Sequence, residues 1–207
     1  MPSQLREVTA KIVACGRASR WREALHLHVA LRGDVVSFNA MIGACERGRQ
    51  WQLALEVFNS MSKCELRADV VSFNSVLKAC ARARAQQLAW CLFESMDCPD
   101  VISYNAMISL SPWRQALSCL EAMVHRHLQP SLVSRNAVIS SCAAGAQWQV
   151  ALGLLDESSD VISFNAAMSS CGKSARWAHA LALFELMSSW RLQPDVISFN
   201  SIISCIE

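Results

Sequence analysis

Six asparagines stand in near-identical surroundings: Val36-Ser37-Phe38-Asn39, Val71-Ser72-Phe73-Asn74, Ile102-Ser103-Tyr104-Asn105, Val133-Ser134-Arg135-Asn136, Ile162-Ser163-Phe164-Asn165 and Ile197-Ser198-Phe199-Asn200. An asparagine amide both donates and accepts hydrogen bonds, so it can pair with any edge that offers the complement. Asparagine is also a mediocre helix former whose side chain competes with the backbone, so a recurring one inside a helical first turn needs a reason beyond helix propensity. Just before five of these segments stands an aspartate, at positions 34, 69, 160 and 195 and, before Val101, at 100; Ser131 takes the remaining place. Aspartate only accepts, and at that position it is also a good helix N-cap. A third column is cationic: Arg17, Arg47, Arg82 and Lys173 share one register near the end of a helix, where they could meet phosphates or merely complement the helix dipole.

Other chemistry is excluded or weak. Ten cysteines are present, yet none is spaced Cys-x-x-Cys, and Cys15, Cys45, Cys80, Cys142 and Cys171 occupy one equivalent position. That pattern predicts buried small hydrophobes in a reducing compartment, with no metal and no cofactor. His26 and His28, like His125 and His127, lie two apart and point to different faces of a helix, which disfavours shared ligation. No His-x-Glu followed by Cys-x-x-Cys occurs, so zinc deaminase chemistry is absent from these residues and no catalysis is expected of them.

The elements that position these columns follow from spacing. Successive asparagines are 35, 31, 31, 29 and 35 residues apart, a period that signals stacked helical pairs. Phe38, Met41, Ile42 and Cys45 follow i, i+3, i+4, i+7, and Trp51, Ala54, Leu55, Phe58 and Met61 make a second stripe after a break at Gly48. The expected fold is therefore all-α: a solenoid of antiparallel helix pairs over 5–207, with about twelve to thirteen helices. The repeats run 5–34, 35–69, 70–100, 101–131, 132–160 and 161–195, followed by a first helix only at 196–207. Thr9 falls where Asn39 falls in the next repeat. Ser111-Pro112 should cut the first helix of 101–131 short, and Arg135 replaces an aromatic residue, so local repacking is expected there.

Mean hydropathy is positive and 53% of residues are hydrophobic, but no uninterrupted apolar run is long enough for a membrane helix. No membrane contact and no small-molecule substrate are expected. The net charge of +2 does not announce a nucleic-acid binder, although residues 1–50 carry eight Lys or Arg against four Asp or Glu. The last segment leaves Phe199, Ile202 and Ile203 without a partner helix, which predicts a piece of a longer array. With four residues before the first repeat, no transit peptide is expected within this sequence.

Val-Val-Ser-Phe-Asn-Ala-Met-Ile, Ala-Leu-Glu-Val-Phe-Asn-Ser-Met and Leu-Gln-Pro-Asp together resemble the pentatricopeptide repeat (PPR) family of organellar RNA-binding proteins, over essentially residues 5–207. The resemblance implies a right-handed superhelix with the asparagines on its concave face, single-stranded RNA as partner, and other RNA-processing factors as further partners. It implies location in chloroplast or mitochondrion, and a role in RNA processing, editing, stability or translation. It further implies that the fifth and last residues of each repeat read one base together. Those pairs are Thr9/Asp34, Asn39/Asp69, Asn74/Asp100, Asn105/Ser131, Asn136/Asp160 and Asn165/Asp195, with Asn200 opening the last segment. Val36, Val71, Ile102, Val133, Ile162 and Ile197 would then flank the bases. The competing reading is a tetratricopeptide-type scaffold that binds peptides in its groove; the paired Asn and Asp columns argue against it.

Overall fold

A computed structural model gives the fold of residues 2–18, 20–29 and 33–206. Ser19, Ala30 to Arg32 and Glu207, which fall within the expected repeats, lie outside the described residues. Among the described residues there are thirteen helices and no strand. In chain order they are α1 (Pro2–Arg17), α2 (Trp21–Val29), α3 (Val35–Arg47), α4 (Trp51–Lys63), α5 (Val70–Ala83), α6 (Gln86–Glu94), α7 (Val101–Leu110), α8 (Trp113–His125), α9 (Leu132–Ala144), α10 (Trp148–Gly153), α11 (Val161–Lys173), α12 (Trp177–Ser189) and α13 (Val196–Ile206). The chain forms two compact units, Met1–Ala106 and Met107–Glu207.

Both units follow one rule. In the first, α1 packs on α3 and α3 on α5, while α2 and α4 each bridge two consecutive members of that row. In the second, α9 packs on α11 and α11 on α13, with α10 and α12 bridging in the same way. Within each unit the helices α1, α3 and α5, or α9, α11 and α13, thus touch in succession, and α2 and α4, or α10 and α12, form a second layer. No helix among the described residues is long and apolar enough to cross a membrane.

The stripes read from the sequence supply much of the core, with Trp51, Leu55 and Phe58 only half-buried. Met41, Ile42, Cys45, Ala54 and Met61 are buried, as are Ala167, Met168, Cys171, Ala180 and Met187. The cysteine column explains itself through helix termination. The carbonyl of Cys45 accepts the Gln50 N–H at 2.9 Å, and Cys80, Cys142 and Cys171 do the same for Ala85, Gln147 and Arg176. Such six-to-one bonds need a left-handed residue between, and Arg49, Arg84, Ala146 and Ala175 supply it with φ near +55° (56°, 54°, 54° and 54°). Met61, Met123 and Met187 play the same part at the ends of α4, α8 and α12, with Glu65, His127 and Arg191 left-handed. No glycine is used at these positions.

The irregular repeats are shortened where the sequence lacks residues. Pro112 stands just before α8 and ends α7 after ten residues, so proline occupies a boundary and not a helix interior. α6 has nine residues against thirteen in α4, and α10 only six. Where α10 stops, Arg135 substitutes polar contacts for an aromatic one: it pairs with Asp156 and donates to Ser158 Oγ, tying the loop after α10 back to α9. Elsewhere the equivalent ring packs edge-on against an aromatic residue of a second helix, as in Phe73 on Phe58 and Phe199 on Phe184.

Phe164 is fully buried, with its ring 5.3 Å from that of Trp190 in an edge-to-face contact. Phe164→Ala should destabilise the chain by about 3–5 kcal/mol, the usual cost of emptying a large buried site. Chemical denaturation followed by circular dichroism measures it, and a cost below ~1 kcal/mol would mean that the cavity collapses.

Candidate functional site

The asparagine and aspartate columns meet at the amino-terminal ends of the odd-numbered helices. Asp69 caps α5: its Oδ1 accepts the Ser72 N–H at 2.8 Å, while the Ser72 hydroxyl oxygen accepts the Asp69 N–H at 3.2 Å. This reciprocal arrangement satisfies two otherwise unpaired backbone donors. The same Oδ1 accepts a hydrogen bond from Asn39 Nδ2 at 3.0 Å, across from α3. Asp100, Asp160 and Asp195 repeat the pattern, receiving Asn74, Asn136 and Asn165 at 3.0 Å in each case. Four of the expected pairs are therefore in direct contact. In each, one carboxylate oxygen caps a helix and holds an amide.

Capping and pairing are thus not alternatives, because the same aspartate does both. Burial acts to raise the carboxyl pKa of Asp69, but the Ser72 N–H, the Asn39 amide and the Ser72 hydroxyl outweigh it and hold it below the ordinary value. Asp100 and Asp160 show the same balance, with Ser103 and Asn74, and Ser163 and Asn136, as donors. For Asp195 the Ser198 N–H is the leading cause of a lowered value.

The remaining pairs differ. Thr9 donates its hydroxyl to the Leu5 carbonyl at 2.8 Å, four residues back in its own helix, and makes no bond to Asp34. Asp34 still caps α3, accepting the Ser37 N–H at 2.9 Å. Ser131 caps α9 through its hydroxyl, which accepts the Ser134 N–H at 3.2 Å. Asn105 is distinct: its Oδ1 is buried without a hydrogen-bond partner. Asn200 is exposed.

Beside this line of polar groups the second residue of each segment is aliphatic yet open to solvent. Val36, Val71, Ile102, Val133, Ile162 and Ile197 are between 46% and 66% exposed, which core packing does not explain. The cationic column is less uniform. Arg17 and Lys173 are exposed in the last turns of α1 and α11, with no ion pair among the described residues. Arg47 lies half-buried over Gly16, where an added Cβ would come within 2.6 Å of its Nη2. Arg82 Nε pairs with the buried Glu46 at 3.1 Å, a partner 36 residues earlier that reading along the register did not supply.

Sequence reasoning also missed the serine preceding each aromatic position. Ser37, Ser72, Ser103, Ser134, Ser163 and Ser198 are all fully buried, and their recurrence in every copy was the available signal.

Two profiles of one family match this sequence. The PPR repeat family matches residues 33–82 and 159–206, and the pentatricopeptide repeat domain matches 60–112, together more than half of the chain. The chain belongs to the pentatricopeptide repeat family. No curated protein sequence matches it. Among solved structures, PPR10 from maize aligns with a TM-score of 0.73 at 24% identity, covering 96% of this chain. PPR10 in complex with an 18-nt psaJ RNA element aligns with a TM-score of 0.63 at 25% identity, covering 98%. The PPR domain of Arabidopsis thaliana protein-only RNase P 1, solved with tRNA, aligns with a TM-score of 0.58 at 10% identity over 98% of both chains, a likeness of fold. The chain spans 31% of the length of the PPR10 chains.

The lowered carboxyl values fix a pH dependence. A group whose folded pKa lies below its unfolded one stabilises the fold above the unfolded value, and that contribution is lost as pH falls through the folded value. For these aspartates the loss should set in below about pH 4. His28, whose burial lowers its pKa, adds an earlier and shallower loss as pH falls below 6.5. The melting temperature should accordingly fall in two stages between pH 7 and 2; a single stage confined to the range above about pH 4 would show that the aspartate bonds contribute nothing.

Proposed function

We propose that this chain binds single-stranded RNA in a sequence-dependent way, without catalysis of its own, each repeat contacting one base. The observation that carries the reading is the fourfold Asn–Asp contact with an exposed Val or Ile beside it. The second Nδ2 proton of each asparagine, a lone pair on its Oδ1 and the carboxylate of its aspartate form a small polar set flanked by an exposed aliphatic side chain. A base stacked against Val71 or Ile162 could present its pairing edge to such a set. Uracil suits it, since the uracil edge offers both an N–H and a carbonyl to an amide that offers both in return. The RNA-bound PPR10 relative lends support.

The repeat boundaries 5–34, 35–69, 70–100, 101–131, 132–160, 161–195 and 196–207 belong to the proposal, as does an organellar setting in RNA processing, editing, stability or translation. With Thr/Asp taken as guanine, Asn/Asp as uracil and Asn/Ser as cytosine, the order from the 5′ end is G-U-U-C-U-U. The four uracil positions rest on Asn39, Asn74, Asn136 and Asn165. The phosphate track consists of Arg17, Arg47, Arg82 and Lys173, of which Arg17 and Lys173 are the freest to act.

Asn39→Thr should move the second preference from uracil toward guanine by about 1–3 kcal/mol, if the scale of paired base readout in DNA carries over, and leave the other positions unchanged. Fluorescence anisotropy with RNAs varied one base at a time measures this. An equal loss on every RNA would make Asn39 structural.

Binding should also weaken with salt, with a log–log slope near about −3 if roughly four phosphates are neutralised. Replacing Arg17 and Lys173 with Gln should flatten that slope by about 1.4 and weaken all RNAs alike. An unchanged slope would remove both residues from the phosphate track.

A further inference from the structure

The buried serines do more than cap. A hydroxyl has one proton to give, and Ser72 Oγ, already accepting the Asp69 N–H, lies 2.5 Å from Asn39 Oδ1 and 2.9 Å from Asp69 Oδ1. The shorter contact takes the proton, so Ser72 donates to the Asn39 carbonyl. Ser103 reaches Asn74 Oδ1 at 2.6 Å and Ser198 reaches Asn165 Oδ1 at 2.7 Å, and Ser163 donates to Asn136 Oδ1 in the same way. Each asparagine is therefore held at both ends by the odd-numbered helix that follows its own. The carboxylate, which only accepts, demands the NH2 end, and the hydroxyl, with its one proton, donates to the carbonyl end that this leaves facing it. A flipped amide would set its oxygen against the carboxylate, which has no proton to give it, and would lose the serine's proton as well.

We infer that Ser72, Ser103, Ser163 and Ser198 are positioning residues that lock the reading amides of Asn39, Asn74, Asn136 and Asn165 in one flip state, so that base choice at one repeat is set partly by the next. The inference rests on the base-reading role proposed above. Its physical content is the left-to-right order of donor and acceptor. Uracil offers acceptor, donor, acceptor along its pairing edge and cytosine acceptor, acceptor, donor, so an amide of fixed order can separate them and a freely flipping one separates them less. Asn105, whose Oδ1 is buried without a hydrogen-bond partner, has no such hold on its carbonyl end. Its base should be the least sharply chosen of those read by the asparagines on α3, α5, α7, α9 and α11.

The test has two arms, both on the full chain. In the free protein, solvent exchange of the side-chain amide protons, followed by NMR, should be about tenfold slower for Asn39 and Asn74 than for the exposed Asn200, as expected of groups held in hydrogen bonds. Equal exchange would overturn the lock without reference to RNA. In the second arm, RNAs differing only at the base opposite Asn39 are bound to wild type, Ser72→Ala and Ser72→Thr. Ser72→Ala should cut the uracil-over-cytosine preference at that base by about tenfold, the value of a lost charge-neutral hydrogen bond, while the base opposite Asn74 keeps its preference. Ser72→Thr, which retains the hydroxyl, should retain the choice. Should Ser72→Ala fail to fold, Ser103→Ala reports the same effect opposite Asn74. A uniform loss of affinity with preference intact would reduce the serine to a helix cap. If wild type shows no preference opposite Asn39 and Asn39→Thr is equally silent, the base-reading proposal itself falls, and the positioning role falls with it.

Discussion

One accept-only oxygen at the start of a helix organises the site. Asp69 Oδ1 holds the first turn of α5 together and, through the Asn39 amide, ties that turn to α3. Local capping and contact between neighbouring helices are therefore the same interaction. A residue with donors of its own could cap as well but would not dictate which end of the amide faces it. Ser131 is such a residue: its hydroxyl caps α9 while carrying no preference for NH2 over carbonyl.

Around this constraint the two kinds of helix divide the work. From α3 onward the odd-numbered helices carry the Asn and the exposed Val or Ile, and α1, α3 and α5, like α9, α11 and α13, pack in succession within their unit. The even-numbered helices supply buried methyl, thioether and aromatic surface, such as Ala54 and Met61 or Ala180 and Met187, and bridge the row from behind. Helix ends are closed by left-handed arginines, alanines, a glutamate and a histidine, so burial of Cys45 or Met61 beneath the turn outweighs a conformational cost of about 1–2 kcal/mol at each such residue.

Much of this was legible in the sequence because it is written in spacing. The stripes through Phe38 to Cys45 and Trp51 to Met61 define two helices and the face each buries, and Pro112 marks where α7 must stop. The columns of Asn and Asp announced themselves by recurrence, and the structure adds that four pairs touch. What escaped was partnership between residues far apart. Arg82 reads as one of four equivalent cations until Glu46 is found beneath it. Arg135 reads as an interruption, yet it replaces ring packing with a clamp on the loop carrying Asp156 and Ser158. The serines were hidden by their ordinariness, since serine three residues into a helix after an aspartate is already a good capping partner and asks for no second role.

The Asn–Asp contacts join residues 30, 26, 24 and 30 positions apart in the chain, and the amide-to-carboxylate distance is 3.0 Å every time. All the difference is absorbed in α6, in α10 and in the loops behind them. A gene encoding such a chain can gain or lose a few codons in those stretches without shifting the order of the polar row in front, much as the length of thread on the back of a cloth leaves the stitches on its face evenly set. Substitution and length change thereby become separate routes of divergence: the first alters what each repeat presents, and the second alters only how it is held.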